Sequence, residues 1–111
     1  MKLSKDSVIA HEKITGYLLL RRPVGDKSEF LKQAGYTLEN WRQLEYDIRQ
    51  QILSKEAVLV EHTEYGDIFE IRALLSGPNG VSLRIISVWI REAKTGITKF
   101  VTLYPDKGRE R

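Results

Sequence analysis

The sequence predicts an α+β fold, three N-terminal helices packed on one face of a four-stranded antiparallel β-sheet, and three observations lead there. Apolar residues recur every three or four positions as far as Ile52, then every second position from Ala57 onward. The turn-forming clusters Tyr65-Gly66-Asp67, Gly77-Pro78-Asn79-Gly80 and Lys94-Thr95-Gly96 punctuate the second half at hairpin spacing. A chain of 111 residues, 41% hydrophobic and 30% charged, has the size and composition of one globular domain.

The first helix is expected over His11 to Leu20, with Ile14, Tyr17 and Leu18 as its apolar stripe, and Pro23 breaks the pattern. Asp26 is a plausible N-cap for a short helix from Lys27 to Ala34 that buries Phe30 and Leu31. Gly35 stands where a left-handed C-terminal residue belongs. Thr37 caps the longest helix, whose apolar residues Leu38, Trp41, Leu44, Ile48 and Ile52 keep helical spacing over about four turns.

Strands follow. Val58 and Val60 alternate with Leu59 and Glu61, and Phe69, Ile71, Ala73 and Leu75 share one face of the next run against Glu70 and Arg72. Val81 to Arg91 is apolar on both faces, as a central strand should be, and Ile97 to Tyr104 closes the sheet before Pro105. One domain is thus expected over residues 1–105, with a charged and loose tail from Asp106 to Arg111.

The composition excludes several classes. With no cysteine there is neither a disulfide nor a thiolate metal site, which fits a cytoplasmic protein. The two histidines, His11 and His62, lie far apart, and no metal or cofactor is expected. Nothing approaches the ~20 apolar residues of a membrane span. The net charge of +3 is spread evenly along the chain, so it permits an RNA partner without demanding one. P-loop, dinucleotide fingerprint and nucleophile elbow are all absent.

Alternation assigns Glu61, Thr63, Glu70, Arg72, Ser87, Trp89, Thr102 and Tyr104 to the sheet face away from the helices. Such a face is either plain solvent surface or a site. RNA cleavage without a metal needs a base at the 2′-hydroxyl, an acid at the leaving oxygen and cations for the phosphate. Lys27 at a helix start is either a solvated lysine or a phosphate ligand, with Arg21 and Arg22 close by in sequence. His62 has a pKa suited to proton transfer, yet it follows Val58 and Val60 in the alternation, toward the helix side or the sheet's rim.

The segments Pro23-Val24-Gly25-Asp26-Lys27-Ser28-Glu29-Phe30 and Ala34-Gly35-Tyr36-Thr37, with Tyr65-Gly66, Gly77-Pro78-Asn79-Gly80, Val88-Trp89 and Val101-Thr102-Leu103-Tyr104-Pro105, carry a resemblance that spans about Lys13 to Pro105. In these the chain resembles a family of uncharacterised small bacterial domains found alone and at the C-termini of polymorphic toxins. Helices followed by four antiparallel strands also resemble the barnase-like, EndoU-like and RelE-like ribonuclease toxins. The resemblance implies a site that includes Lys27, Trp89, Thr102 and Tyr104. Where a histidine is common in relatives before the Pro-Gly pair, this chain has Arg21 or Arg22.

Residues and resemblance together lead to an expectation: a metal-independent endoribonuclease, the toxin of a toxin–antitoxin pair. Lys27 and Arg72 would hold the scissile phosphate, Tyr104 or His62 would move protons, Thr102 would hydrogen-bond phosphate or ribose, and Trp89 and Arg22 would bind substrate. The partners implied are an RNA substrate and a small cognate antitoxin or immunity protein. The alternative is a non-catalytic interaction module, itself an antitoxin, immunity or assembly protein.

Overall fold

A computed structural model describes residues 1–20 and 27–107. Its helical half is less regular than the periodicity predicts. Helix α1 (His11–Lys13) runs straight into a π-helical turn, Ile14–Leu18, and α2 spans only Ser28–Lys32. A 3₁₀ turn (Leu38–Asn40), helix α3 (Trp41–Asp47) and a second π-helical turn (Ile48–Ile52) replace the expected uniform four-turn helix. Three α-helices are thus present but short, with π-helical and 3₁₀ turns extending two of them. The wide second turn is closed by the Leu53 amide on the Ile48 carbonyl at 2.9 Å, and it buries Ile48, Ile52 and Leu53 together.

Local chemistry sets the joints between these pieces. Gly35 takes a φ of 93°, the left-handed conformation expected of it. The Thr37 amide donates to Asn40 Oδ1 at 2.8 Å, and Asn40 Nδ2 donates back to the Gly35 carbonyl at 2.9 Å, fixing the entry to α3. Between helices and sheet lies a buried polar link, the Tyr36 hydroxyl donating to Asp47 Oδ2 at 2.6 Å. Burial first, then the Asp47 hydrogen bond and charge, hold the Tyr36 phenol far above its ordinary pKa.

The second half is an antiparallel meander in the order β1-β2-β3-β4, with β1 Val58–Thr63, β2 Gly66–Ser76, β3 Ser82–Glu92 and β4 Thr98–Pro105. Gly66 is required where β2 leaves its turn: a Cβ there would stand 2.2 Å from the Arg91 carbonyl oxygen. Phe69, Ile71 and Leu75 of β2, Leu83, Ile85 and Trp89 of β3, and Phe100 and Leu103 of β4 join Ile14, Leu18, Leu31, Leu44, Ile48 and Ile52 in one core. That core fixes the phase of β3. Trp89 pairs with Phe69 and is 0% exposed, so it lies on the core face, and Ser87, which accepts from Trp89 Nε1 at 2.8 Å, is buried beside it. The assignment of both residues to the opposite face is corrected accordingly.

The two edges of the sheet differ. Val8 forms a parallel bridge to β4, its amide donating to Thr98 and its carbonyl accepting from Phe100, each at 2.8 Å. Seven residues earlier, the Met1 carbonyl accepts from the Ala57 amide at 2.7 Å, so residues 1–8 run from the foot of β1 to the outer edge of β4. Strand β1, in contrast, is exposed along Val58–His62 and carries a bulge between Leu59 and Glu61. No helix among the described residues is long and apolar enough to cross a membrane.

Candidate functional site

Residues paired across antiparallel strands share a face, so the register reveals what the sheet presents away from the core. One row runs Val58, Glu70, Val88, Thr102, and the next runs Arg72, Ile86, Tyr104. A bulge in β4, between the partners of Val88 and Trp89, lets Phe100 enter the core while Thr102 and Tyr104 both point away from it. Glu70 and Thr102 thus flank Val88 at two strand spacings, roughly 10 Å apart.

Lys27 reaches this face from the residue that precedes α2. Its Nζ donates to Thr102 Oγ1 at 2.9 Å and to the Tyr17 hydroxyl at 3.1 Å, and it lies 4.9 Å from the centre of the Tyr17 ring. An ammonium carries three N–H donors, so one stays available to an anion. Tyr17 is presented by the first π-helical turn, and Lys27 and Thr102 are brought together across 75 residues of sequence.

On the other side of Val88, the Tyr104 hydroxyl donates to Glu70 Oε2 at 3.3 Å, reaching diagonally over β3. Burial, then the Glu70 charge and hydrogen bond, push the Tyr104 phenol above its ordinary value, so it stays protonated at neutral pH. Arg72 Nη1 meets Asp106 Oδ1 at 2.9 Å, with the Asp106 side chain only 7% exposed. Asp106, expected to open a loose tail, is instead anchored there, and its amide donates to the Arg84 carbonyl at 3.0 Å.

The structure therefore gathers Lys27, Arg72, Thr102 and Tyr104 on one face. It does not bring His62 or Trp89 to them. His62 shares its phase with Asp67 and Arg91 at the exposed rim of the core-side face, on the far edge strand. Its Nδ1 lies 2.7 Å from Asp67 Oδ1, and Arg91 Nη2 lies 3.4 Å from Asp67 Oδ2. The His62 hydrogen bond, then Arg91, lower the Asp67 pKa. Trp89, expected to stack a base, is sealed in the core. Arg22 lies outside the described residues, as do Arg21 and the expected cap Asp26.

Two residues of the cluster were not singled out by sequence. Tyr17 reads as part of a helical apolar stripe, and its contact with Lys27 is what brings it to the cluster. Glu70 reads as one polar residue among several on its face, and its pairing with Tyr104 depends on the register of β4. Among the described residues, no three histidine or carboxylate side chains converge as metal ligands would.

No curated protein and no solved structure shows significant similarity to the chain. Residues 2–107 match the model of a family described as a domain of unknown function (DUF6883), and the chain belongs to that family.

Proposed function

We propose that this domain is a metal-independent endoribonuclease, the toxin of a toxin–antitoxin pair, and that it works on the sheet face away from the core. The observation that carries the reading is the seat of Lys27, held by Thr102 and Tyr17 across Val88 from the Glu70–Tyr104 pair. Cleavage by the 2′-hydroxyl requires base and acid on opposite sides of the phosphorus. A phosphate above Val88 has a carboxylate on one side and an ammonium on the other.

In this reading Glu70 takes the 2′-hydroxyl proton as the 2′-oxygen bonds to phosphorus and the bond to the 5′-oxygen breaks. Lys27 neutralises the growing phosphate charge and delivers a proton to the departing oxygen. The products are a 2′,3′-cyclic phosphate and a 5′-hydroxyl, and solvent restores both groups. Thr102 holds Lys27 and hydrogen-bonds phosphate or ribose. Tyr104, kept protonated, orients Glu70 and leaves it the proton transfer first expected of Tyr104 or His62. Arg72 adds a second cation beside the phosphate.

Purified chain incubated with RNA in excess chelator should release fragments ending in cyclic phosphate. Lys27→Ala and Glu70→Gln should each lower the rate about 10²- to 10⁴-fold with the fold intact. Undiminished cleavage by both folded variants would remove the site from this face.

A second reading has its own observation. The apolar run Val58-Leu59-Val60 stands exposed on an edge strand, a place where a partner's strand could add to the sheet. An antitoxin or immunity partner suits that edge, and so does a purely binding role for this chain. Expression in bacteria separates the two: a toxin arrests growth unless its partner is present, and a binding module does not.

A further inference from the structure

A cavity of about 520 Å³ opens between the two hairpin tips, lined by Glu64, Tyr65, Ile90, Glu92, Lys94 and Thr95. It belongs to the same face as the cluster above, because Ile90 follows Val88 by two positions along β3. That step is roughly 7 Å, close to the spacing of successive nucleotides along a single strand. The walls are fixed: the Ala93 amide donates to the Tyr65 carbonyl at 2.9 Å, and Gly66 lies in close contact with the Arg91 backbone.

The side chains divide by engagement. Glu92 is occupied, bound by Thr95 at 2.8 Å and Lys99 at 3.0 Å. The Tyr65 side chain is not: the residue is 72% exposed, and among the described residues neither its ring nor its hydroxyl has a partner. The Glu64 and Lys94 side chains, both exposed, carry no ion pair among the described residues. A surface thus offers an unused aromatic face, an unused carboxylate and an unused ammonium around one opening.

We infer that this cavity is a nucleobase subsite in which a base stacks on Tyr65 while Glu64 and Lys94 read its edge. Stacking on an aromatic ring serves any base, so selection falls to the charged pair. A carboxylate accepts two adjacent N–H donors, and guanine supplies them at N1 and N2 with the O6 acceptor next to them for the ammonium. Adenine, with the N1 acceptor beside its N6 amino group, and uracil and cytosine present no such triplet. Guanine is therefore the base this opening prefers. The inference rests on the ribonuclease reading for its meaning, but its binding can be measured alone.

The experiment is titration of the full chain with each of the four nucleoside 3′-monophosphates, followed by amide chemical shifts. Guanosine 3′-monophosphate should bind roughly tenfold tighter than the other three, with the largest shifts at Glu64–Gly66 and Lys94–Gly96. Tyr65→Ala should weaken it about five- to a hundredfold. Glu64→Gln should erase the preference for guanine while leaving stacking. Equal affinity for all four nucleotides, or shifts confined to other parts of the surface, overturns the subsite. Selective guanosine binding without RNA cleavage would sustain the subsite and sink the ribonuclease; cleavage with no base preference and no shift at Tyr65 would do the reverse.

Discussion

The two faces of the sheet are built from the same strands by opposite rules. On the core face, Trp89, Phe69, Ile71, Ile85 and Leu103 are sealed, and even the hydroxyl of Ser87 is consumed by the Trp89 indole. On the other face, Lys27, Glu70, Arg72, Thr102 and Tyr104 keep polar atoms at or near solvent around an apolar floor of Val88 and Ile86. A core tolerates no unused hydrogen-bonding group, whereas a working surface must keep some in reserve. Substitutions should therefore separate cleanly, with losses of stability from one face and losses of activity from the other.

The largest expected effect on stability is Trp89→Ala, which should cost about 3–5 kcal/mol in urea unfolding by leaving a cavity against Phe69 and Phe100. A small change there would mean that Trp89 faces solvent and would merge the two faces. Next is Tyr36→Phe, which strips the hydroxyl from buried Asp47 and should cost about 1–3 kcal/mol. The same hydroxyl gives a pH signature. Because folding raises the Tyr36 pKa, the contribution is complete below the phenol's ordinary value near 10 and fades as pH climbs beyond it. A thermal-melting series in alkaline buffer should show this decline, and Tyr36→Phe should flatten it.

Thr102→Ala belongs to the other class. It should alter stability by only about 0.5 kcal/mol while loosening Lys27 and slowing RNA cleavage. A folding defect comparable to that of Trp89→Ala would make the Lys27–Thr102 contact a structural strut. The smallest effect lies at the rim. Folding lowers the Asp67 pKa through its His62 hydrogen bond, so that contribution is present at neutral pH and disappears as pH falls below the ordinary carboxylate range. His62→Ala should shrink the acid-side slope of melting temperature and leave RNA cleavage unchanged.

How much of this was legible in sequence depended on whether hydropathy could fix a phase. In β2 it could, since Phe69, Ile71 and Leu75 alternate with Glu70 and Arg72, and the structure keeps that division. In β3 it could not: Ile85-Ile86-Ser87-Val88-Trp89-Ile90 is apolar on both sides, and the lone serine suggests the wet face. Only the pairing of Trp89 with Phe69 decides the matter. In β4 a bulge shifts the alternation partway along, so Phe100 and Thr102 part company although simple counting puts them together. The helical half was legible in its buried residues but not in its regularity, because spacings of three and four are shared by α, 3₁₀ and π-helical turns. Residue types and the resemblance placed Lys27 and Thr102 among the candidates for one site, whereas Glu70 and Tyr17 acquire their places only from strand register and a helical turn.

The first eight residues, described above as they run from the foot of β1 to the outer edge of β4, also bear on how the domain comes apart. Tension on the N-terminal end would first break the Met1 contact with Ala57 and then the single bridge of Val8 to β4, two backbone hydrogen bonds, before it loads the long ladder between β2 and β3. Once the bridge is gone, the Thr98–Phe100 stretch of β4 is unpaired on its outer side, and that border of the sheet lies open along its length, as β1 does. The strip is thus a mechanical fuse: it yields ahead of the sheet, and its release widens the margin to which a neighbour's strand can add.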